Sequence, residues 1–239
     1  MENFAFVQHL LSTLVISLFV IIWGLAAVPG MALMIFLFEL SQGYTLWSQA
    51  LVLGLGGGAS YLLWGLTNFL IIGAIGTLIR PRLPDARVPL KSMLTVRWAF
   101  LSLLHRLAQP FLKQVIPSWI ANAYYSSMGC NISSGVQINT SELNDCFMVS
   151  IGKDTVIGGK AAINGHVVEK DELVLAPVTI GSGCVIGASS LILPGCKIGD
   201  GAVLAGKAVL PKYTEIPAGE IWGGVPAKCI RLADGSKPQ

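Results

Sequence analysis

The sequence predicts an α-helical, membrane-spanning N-terminal region followed by an all-β domain that forms a parallel β-helix. Residues 1–79 are strongly apolar and contain no Lys or Arg. From Ile180 to Trp222, a large apolar residue recurs at every sixth position. Between these regions, residues 80–113 hold seven basic residues and one acid. We therefore divide the chain into membrane helices (1–80), a basic linker with an amphipathic helix (81–128), the β-helix (129–232) and a flexible tail (233–239).

The six-residue repeat is the basis for the β-helix prediction. Its apolar positions are Ile180, Ile186, Ile192, Ile198, Leu204, Leu210, Ile216 and Trp222. A weaker run, Ile132, Ile138, Ile151, Ile157 and Ile163, has the same period except for one slip between Ile138 and Ile151. A period of six fits triangular coils with one hexapeptide on each side and the apolar residue pointing inward. Glycine or another small residue is expected to let the backbone turn each corner.

The N-terminal region contains two apolar runs, Val7 to Leu40 and Leu46 to Ile79. A membrane span needs about 20 helical residues, so each run is long for one span and short for two. Pro29-Gly30 and Gly54 to Gly58 interrupt the runs. The runs therefore form either two long, broken or tilted helices, which we prefer, or four shorter segments. Because no basic residue precedes the first run and a second run follows, a cleaved signal peptide does not fit.

The basic segment predicts the orientation of the protein in the membrane and a binding partner. Its cations are Arg80, Arg82, Arg87, Lys91, Arg97, Arg106 and Lys113. Basic residues beside a span stay in the cytoplasm, so the β-helix is expected on the cytoplasmic side of the plasma (inner) membrane of a multi-pass protein. Anionic lipid headgroups are the expected partner of these cations, and nucleic acid is not.

An amphipathic helix is expected within the basic segment. Its apolar face holds Trp98, Leu101, Leu104, Ala108, Phe111, Leu112 and Val115, and its polar face holds Ser102, Arg106, Gln109 and Lys113. Such a helix either lies at the membrane interface or covers the open end of the first coil. Pro110 is expected to bend it.

Metal and disulfide chemistry are not expected. The chain has five Cys without a CxxC spacing, and Cys184 and Cys196 fall on small inward positions that favour core filling. Its three histidines are His9, His105 and His166, and His9 lies at the first apolar run. A three-histidine zinc site is therefore excluded as an interpretation.

His166 is the candidate general base, because it is the one histidine of the β-helix and stands where the repeat is interrupted. The step from Ile163 to Ile180 is five residues longer than two hexapeptides, so residues 167–177 are expected to leave the coils as a loop. An imidazole can take the proton of an attacking hydroxyl or amine, and a carboxylate can hold its tautomer. Glu169 is the preferred carboxylate, with Asp145 and Asp154 as alternatives.

These features resemble the hexapeptide-repeat acyltransferases, whose fold is a left-handed parallel β-helix. That family has a histidine at a loop beside the coils and a C-terminal Gly-x-Pro-Ala segment near the pantetheine arm of coenzyme A. The matching residues here are Trp222, Gly223, Gly224, Pro226 and Ala227, with Lys228 and Arg231 for the phosphates and with Asn164 and Lys207 completing the predicted binding set. The resemblance implies an acyl-coenzyme A or phosphopantetheine thioester as co-substrate, with no tightly bound cofactor.

A narrower resemblance is to the membrane-attached terminal domains of nonribosomal peptide synthetases such as ε-poly-L-lysine synthetase. It is carried by residues 82–92 (RLPDARVPLKS), 124–132 (YYSSMGCNI), 149–158 (VSIGKDTVIG), 165–169 (GHVVE) and 222–227 (WGGVPA). The chain holds one such unit without an adenylation or carrier domain, which implies a homotrimer with sites between subunits.

The predicted function is a membrane-anchored acyltransferase that moves an acetyl or aminoacyl group from a thioester to an amine or hydroxyl. Two alternatives stay open. One is a non-catalytic membrane scaffold, which would need neither His166 nor coenzyme A. The other is an aminoacyl transferase in peptide synthesis that depends on a carrier protein.

Overall fold

A computed structural model describes residues 2–79 and 85–238, with side chains at residue 13 and from residue 16 onward. Arg80, Arg82 and Gln239 lie outside the described residues. The chain divides into two compact units, Met1–Ile72 and Gly73–Gln239.

The first unit consists of helix α1, Glu2–Leu40, and most of helix α2, Leu46–Ile79. The expected breaks are absent from the described part of both helices, since Pro29 lies inside α1 and the glycine run lies inside α2. Gly30 allows close contact between the helices instead. A Cβ on Gly30 would lie 2.8 Å from the Ser60 carbonyl oxygen, and Ser60 Oγ donates to the Gly30 carbonyl at 2.8 Å. The helices therefore pack closely where we expected them to break.

Both helices are long and apolar enough to cross a membrane. The candidate spans are Ile16–Leu40, with mean hydropathy 2.3, and Leu46–Ile79, with mean hydropathy 1.9. Large apolar side chains such as Val20 and Leu55 are each 70% exposed. Length and composition alone support these spans.

The second unit begins with strand β1, Ala86–Pro89, and helices α3, Met93–Val115, and α4, Trp119–Ser127. Helix α3 continues through Pro110. Its apolar face is buried at Leu101, Leu104, Leu107, Ala108, Phe111 and Leu112. Gln109 Nε2 donates to the Ser141 carbonyl at 3.0 Å, and Tyr125 Oη of α4 donates to the Thr140 carbonyl at 3.0 Å. Helices α3 and α4 thus pack against the first coil, the second of the two arrangements considered.

The described C-terminal region forms a parallel β-helix of short strands on three faces. The strands are β2 Asn131–Ile132, β3 Gln137–Ile138, β4 Val149–Ile151, β5 Val156–Ile157, β6 Ala162–Ile163, β7 His166–Glu169, β8 Glu172–Leu175, β9 Val178–Ile180, β10 Val185–Ile186, β11 Leu191–Ile192, β12 Lys197–Ile198, β13 Val203–Leu204, β14 Val209–Leu210, β15 Glu215–Ile216, β16 Ile221–Gly224 and β17 Ala227–Arg231. The faces have the orders β15-β12-β9-β4-β2, β17-β16-β13-β10-β5-β3 and β14-β11-β6. Val185 pairs with Val203, which pairs with Ile221, so one coil takes three hexapeptides.

The predicted inward residues form the core. Ile180, Ile186, Ile192, Ile198, Leu204, Leu210 and Ile216 are all buried. Trp222 is the exception and is partly exposed at the end of the β-helix, where the antiparallel strand β17 pairs with β16. The six-residue period therefore predicted the coil and its core correctly.

The prediction that glycine or another small residue turns each corner is correct at only some corners. The left-handed backbone lies three residues after the inward residue, at Gly183, Gly195 and Ser189 but also at Lys207 with φ 60°. The glycine directly after the inward residue allows close stacking of coils. A Cβ on Gly187 would lie 2.3 Å from the Gly206 nitrogen.

We expect Gly187→Ala to destabilise the β-helix by about 1–3 kcal/mol, because its new methyl group meets rigid backbone of the next coil. Gly159→Ala is the matched control, since its Cβ would meet only the Asn139 carbonyl oxygen at 3.7 Å. Thermal melts of both variants in detergent measure the difference. Equal melting temperatures would contradict the stacking role.

Two interruptions of the repeat shape the surface of the β-helix. At the first, Leu143 forms a bridge with Ile163, and a 3₁₀ helix, Cys146–Met148, absorbs the slip. At the second, the expected loop is a β-hairpin, because β7 and β8 pair antiparallel and β1 pairs with β8. Apolar side chains hold this small sheet in place, namely Met148, Leu173 and Leu175 with Val88, Leu94, Trp98 and Phe147 packed against them.

Candidate active site

His166 and Asp145 meet where the two interruptions lie side by side. His166 Nδ1 is 2.6 Å from Asp145 Oδ2. The Asp145 carboxylate also accepts from the Gly165 backbone N–H at 2.9 Å and from Trp98 Nε1 at 2.8 Å. Asp145 is fully buried, whereas the His166 side chain is 26% exposed. The Asp145 carboxylate is therefore held by hydrogen bonds in the interior, whereas the His166 ring is accessible at the surface.

This geometry selects one form of the imidazole. A carboxylate only accepts hydrogen bonds, so Nδ1 carries a proton, and in the neutral ring Nε2 then keeps its lone pair. The centroids of the Trp98 and His166 rings lie 4.4 Å apart, with an angle of 53° between the ring planes. Trp98 thus contacts the ring and also donates to the carboxylate that holds it. In this neutral form, Nε2 is the ring atom that could accept a proton.

Glu169, the preferred partner from the sequence, does not contact His166. Its carboxylate accepts hydrogen bonds from Lys212 and from Arg87, the latter at 3.0 Å. The hydrogen bond from Lys212 is the main cause that lowers the pKa of Glu169. The two residues stand three apart on strand β7, so their side chains point to opposite faces. The structure therefore replaces Glu169 by Asp145 as the neighbour of the ring.

Asp154, the other alternative, lies at a corner of the β-helix with φ 57°. Its exposed carboxylate pairs with Lys153 at 3.8 Å. It has no hydrogen bond to His166 in the described structure.

A cavity of about 440 Å³ opens beside His166. Its wall consists of Trp98, Ser102, His105, Arg106, Gln109 and Lys113 from α3, Glu142 and Asn144 from the first coil, and Asn164 and His166. Asn144 Nδ2 donates to Asn164 Oδ1 at 2.6 Å, which ties two coils together at the wall. The polar face of α3, expected to meet solvent or lipid headgroups, lines this cavity together with His166. Sequence reasoning found these residues but not their role.

His105 is part of the wall but is not prepared for proton transfer. Its Nδ1 is 3.0 Å from Tyr124 Oη and its Nε2 is 3.0 Å from Gln109 Nε2. Burial lowers the pKa of His105 to about 4, against the opposing effect of the Asp145 charge. A neutral ring that accepts from Gln109 keeps that amide in place. We assign His105 a structural role.

The shifted pKa of His105 predicts acid sensitivity. Between the ordinary value of 6.5 and about 4, the unfolded chain protonates this ring and the folded chain does not. In this pH range the unfolded state binds more protons than the folded state. The free energy of unfolding is therefore highest above pH 6.5 and falls by roughly 3 kcal/mol as the pH drops to about 4. Melts at about pH 7 and about pH 4.5 should show a smaller loss in His105→Gln than in wild type. An equal loss in both would contradict this origin.

Most of the predicted binding residues lie elsewhere on the β-helix. Of that set, Asn164 stands beside His166, whereas Lys207 lies at a corner of a later coil and Trp222 to Arg231 form the closing hairpin of β16 and β17. Strand β5 belongs to the same coil as His166 and lies on the face of the β-helix that also holds β16. On that face β13 and β10 separate β16 from β5, so the two strands are three inter-strand steps apart. That separation is about 14 Å along the axis. The chain does not bring the hairpin into the cavity wall.

Metal and thiol chemistry find no support in the described residues. No group of three or more His, Cys, Asp or Glu side chains there could hold a metal ion. All five cysteines are free, and four are buried. Burial raises the pKa of Cys130 to about 12 and that of Cys196 to about 11, so these thiols stay protonated. Cys184 and Cys196 fill the core.

Comparison with known proteins agrees with the repeat. Residues 177–212 match the family described as bacterial transferase hexapeptide (six repeats). No curated protein matches the chain significantly.

Three solved acetyltransferase structures are among those similar to this chain. A hexapeptide-repeat containing acetyltransferase from Vibrio cholerae is 19% identical, with 60% of this chain and 94% of that chain covered and a TM-score of 0.45. The complex of such an enzyme from Vibrio cholerae O1 biovar eltor with acetyl coenzyme A is 17% identical, covering 60% and 91%, with a TM-score of 0.44. A galactoside acetyltransferase in complex with coenzyme A is 19% identical, covering 57% and 82%, with a TM-score of 0.42.

Proposed function

We propose that the chain is a membrane-anchored acyltransferase that moves an acetyl or longer acyl group from a coenzyme A thioester to a hydroxyl or amine. The observation that carries this proposal is the His166–Asp145 pair, with Nε2 unbonded in the described structure and the ring in the wall of a cavity. Its position on a β-helix with bacterial transferase hexapeptides supports acyl transfer as the chemistry.

The reaction needs one proton acceptor. The acceptor hydroxyl or amine donates its proton to His166 Nε2 while its oxygen or nitrogen attacks the thioester carbonyl. The tetrahedral intermediate then collapses, the carbon–sulfur bond breaks, and the imidazolium returns the proton to the leaving thiolate. Asp145 stabilises the imidazolium that forms in between. The products are the ester or amide and free coenzyme A.

Trp98 and Gly165 act through Asp145. Each donates a hydrogen bond to the carboxylate, which fixes its orientation toward Nδ1. Because Asp145 is buried, these donors replace the water that would otherwise solvate its charge. Helix α3 thereby contributes to the site from outside the β-helix.

Release of free thiol from acetyl coenzyme A tests this function. The assay uses the full chain in detergent micelles and a panel of amines and hydroxyl compounds. Acceptor-dependent thiol release supports the proposal, and its absence for every acceptor would contradict it. The resemblance to peptide synthetase domains favours an aminoacyl thioester on a carrier protein as a second donor, which the same assay can include.

The two apolar helices are proposed to anchor the protein in the plasma (inner) membrane, with the β-helix in the cytoplasm. Lys91 and Arg97 stay exposed on this unit, whereas Arg87 pairs with Glu169 and Glu172. Exposed cations that follow the second span closely in sequence support a cytoplasmic location of the β-helix and contact with anionic lipid. A reporter fused to the C-terminus should behave as cytoplasmic, and activity of an extracytoplasmic reporter there would contradict the orientation.

We expect a homotrimer. Within one chain, His166 and the Trp222 to Arg231 hairpin lie on different coils, so a donor that uses both needs a long reach or a neighbouring subunit. Resemblance to the hexapeptide acyltransferases favours the neighbour. Mass measurement of the detergent-solubilised chain should give three copies. A monomer or dimer as the sole species would contradict this expectation.

A further inference from the structure

We infer that the polar face of helix α3 binds the acyl acceptor, and that this acceptor carries an oxyanion, a phosphate or a carboxylate, besides the hydroxyl or amine that reacts. The inference rests on the proposed function and names the class of its second substrate. The polar face is defined as Ser102, Arg106, Gln109 and Lys113, which share the cavity with His166.

The first observation is the charge of the cavity. Arg106 and Lys113 line it, stand about 10 Å apart along the helix axis, and form no ion pair within the described residues. Glu142 is the one carboxylate in the described wall, so the wall is net positive. The planar guanidinium of arginine suits two-point binding of a carboxylate or phosphate.

The second observation is a pair of polar atoms that lack partners. Ser102 Oγ and Gln109 Oε1 are buried and make no hydrogen bond in the described structure. The Gln109 amide is held by the Ser141 carbonyl and by His105, so its oxygen has a fixed position. That oxygen can only accept, so the matching ligand group is a donor such as a hydroxyl or amine. Buried polar atoms are normally satisfied, and a ligand that draws these two side chains toward the cavity would satisfy them.

The donor is a poorer match for these cations. The phosphates of coenzyme A are separated from its sulfur by the whole pantetheine arm. Arg106 shares a cavity of about 440 Å³ with His166, the residue that must lie beside the thioester. An anion bound there therefore belongs to a compact molecule whose reacting group is close to its charge.

Binding measured without any acyl donor tests this inference. The full chain in detergent micelles is titrated with glycerol 3-phosphate, with glycerol and with adenosine 3′,5′-bisphosphate. Its thermal melt is also measured in nanodiscs of phosphatidylglycerol and in nanodiscs of phosphatidylcholine. The variants are Arg106→Gln and, as matched control for the soluble probes only, Arg97→Gln, an exposed residue of the same helix that does not line the cavity. We expect glycerol 3-phosphate to bind wild type and Arg97→Gln alike and Arg106→Gln at least about tenfold more weakly, as for loss of a charged hydrogen bond.

The outcomes separate the possible sources of the oxyanion. Arg106-dependent binding of glycerol 3-phosphate supports a soluble acceptor. Arg106-dependent stabilisation by phosphatidylglycerol over phosphatidylcholine, without binding of the soluble probe, supports a lipid headgroup. The inference is overturned if no probe distinguishes Arg106→Gln from wild type, or if adenosine 3′,5′-bisphosphate alone shows the dependence, since that result assigns Arg106 to the donor. Because no acyl transfer is measured, this outcome is independent of whether His166 proves catalytic.

Discussion

Replacing His166 by Ala is expected to lower kcat by about 10²- to 10⁴-fold, with a modest change in KM. The variant loses the group that accepts the acceptor's proton, while the walls of the cavity and the hydrogen bonds between β7 and β8 remain. Thiol release from acetyl coenzyme A with an established acceptor gives both constants.

The control for His166→Ala is its folding. The His166 side chain is partly exposed and contributes little to the core, but Asp145 loses one of its three hydrogen bonds. The melting temperature should therefore fall moderately, while the fold and the number of subunits persist. Turnover at the wild-type rate would make His166 structural. The non-catalytic scaffold would then be the better account of the chain.

Asp145→Asn should have an effect of similar size. The introduced amide can donate to Nδ1, which would move the ring proton to Nε2 and remove the lone pair that accepts the substrate proton. The same exchange beside a catalytic histidine in serine proteases costs about 10⁴-fold in kcat. The side chain keeps its size and its one oxygen can still accept from Trp98, whereas the amide nitrogen that faces Nδ1 leaves the Gly165 N–H without its acceptor. We therefore expect the fold to persist with a lower melting temperature. The kcat and a thermal melt measure the two effects separately.

Glu169→Gln is the matched comparison for Asp145→Asn. Both changes remove one carboxylate near the start of the hairpin, but Glu169 bonds to Lys212 and Arg87 and not to His166. We expect kcat of Glu169→Gln to stay close to wild type. A large loss there, with little loss in Asp145→Asn, would restore the choice made from sequence and contradict the geometry.

The β-helix and its core could be predicted from the sequence because a large apolar residue recurs at every sixth position. A coil of three hexapeptides brings Ile186 above Leu204, so every inward position must be apolar and small enough to stack. The glycine next to it was visible as well. Its cause, the close approach of coils at Gly187, needs the distance between backbones that only the structure supplies.

The partner of His166 was harder to choose because sequence distance is misleading in a β-helix. Stacked coils bring residues about one coil apart together, as Leu143 meets Ile163. Asp145 stands 21 residues before His166 and is therefore its neighbour, whereas Glu169, three residues away, points to the other face of its strand. The slip in the repeat between Ile138 and Ile151 was a signal for Asp145, since both interruptions fall on the same side of neighbouring coils.

Helical patterns left two further questions open. Solvent, lipid headgroups and a polar cavity all select the same residue types, so the polar stripe of α3 could not show which of them it meets. In α1, Pro29 and Gly30 suggested a break that the structure does not have, because Ser60 of α2 bonds to the Gly30 carbonyl and the helices fit closely there. Both answers depend on packing between elements.

The position of the coenzyme A sulfur tests the central claim most directly. The measurement is an electron cryomicroscopy map of the full chain in nanodiscs with saturating coenzyme A. The account predicts the sulfur in van der Waals contact with the His166 ring, within about 4–4.5 Å, at the mouth of the cavity lined by α3. Coenzyme density whose sulfur lies on another face of the β-helix, or no coenzyme density at saturation, would contradict it.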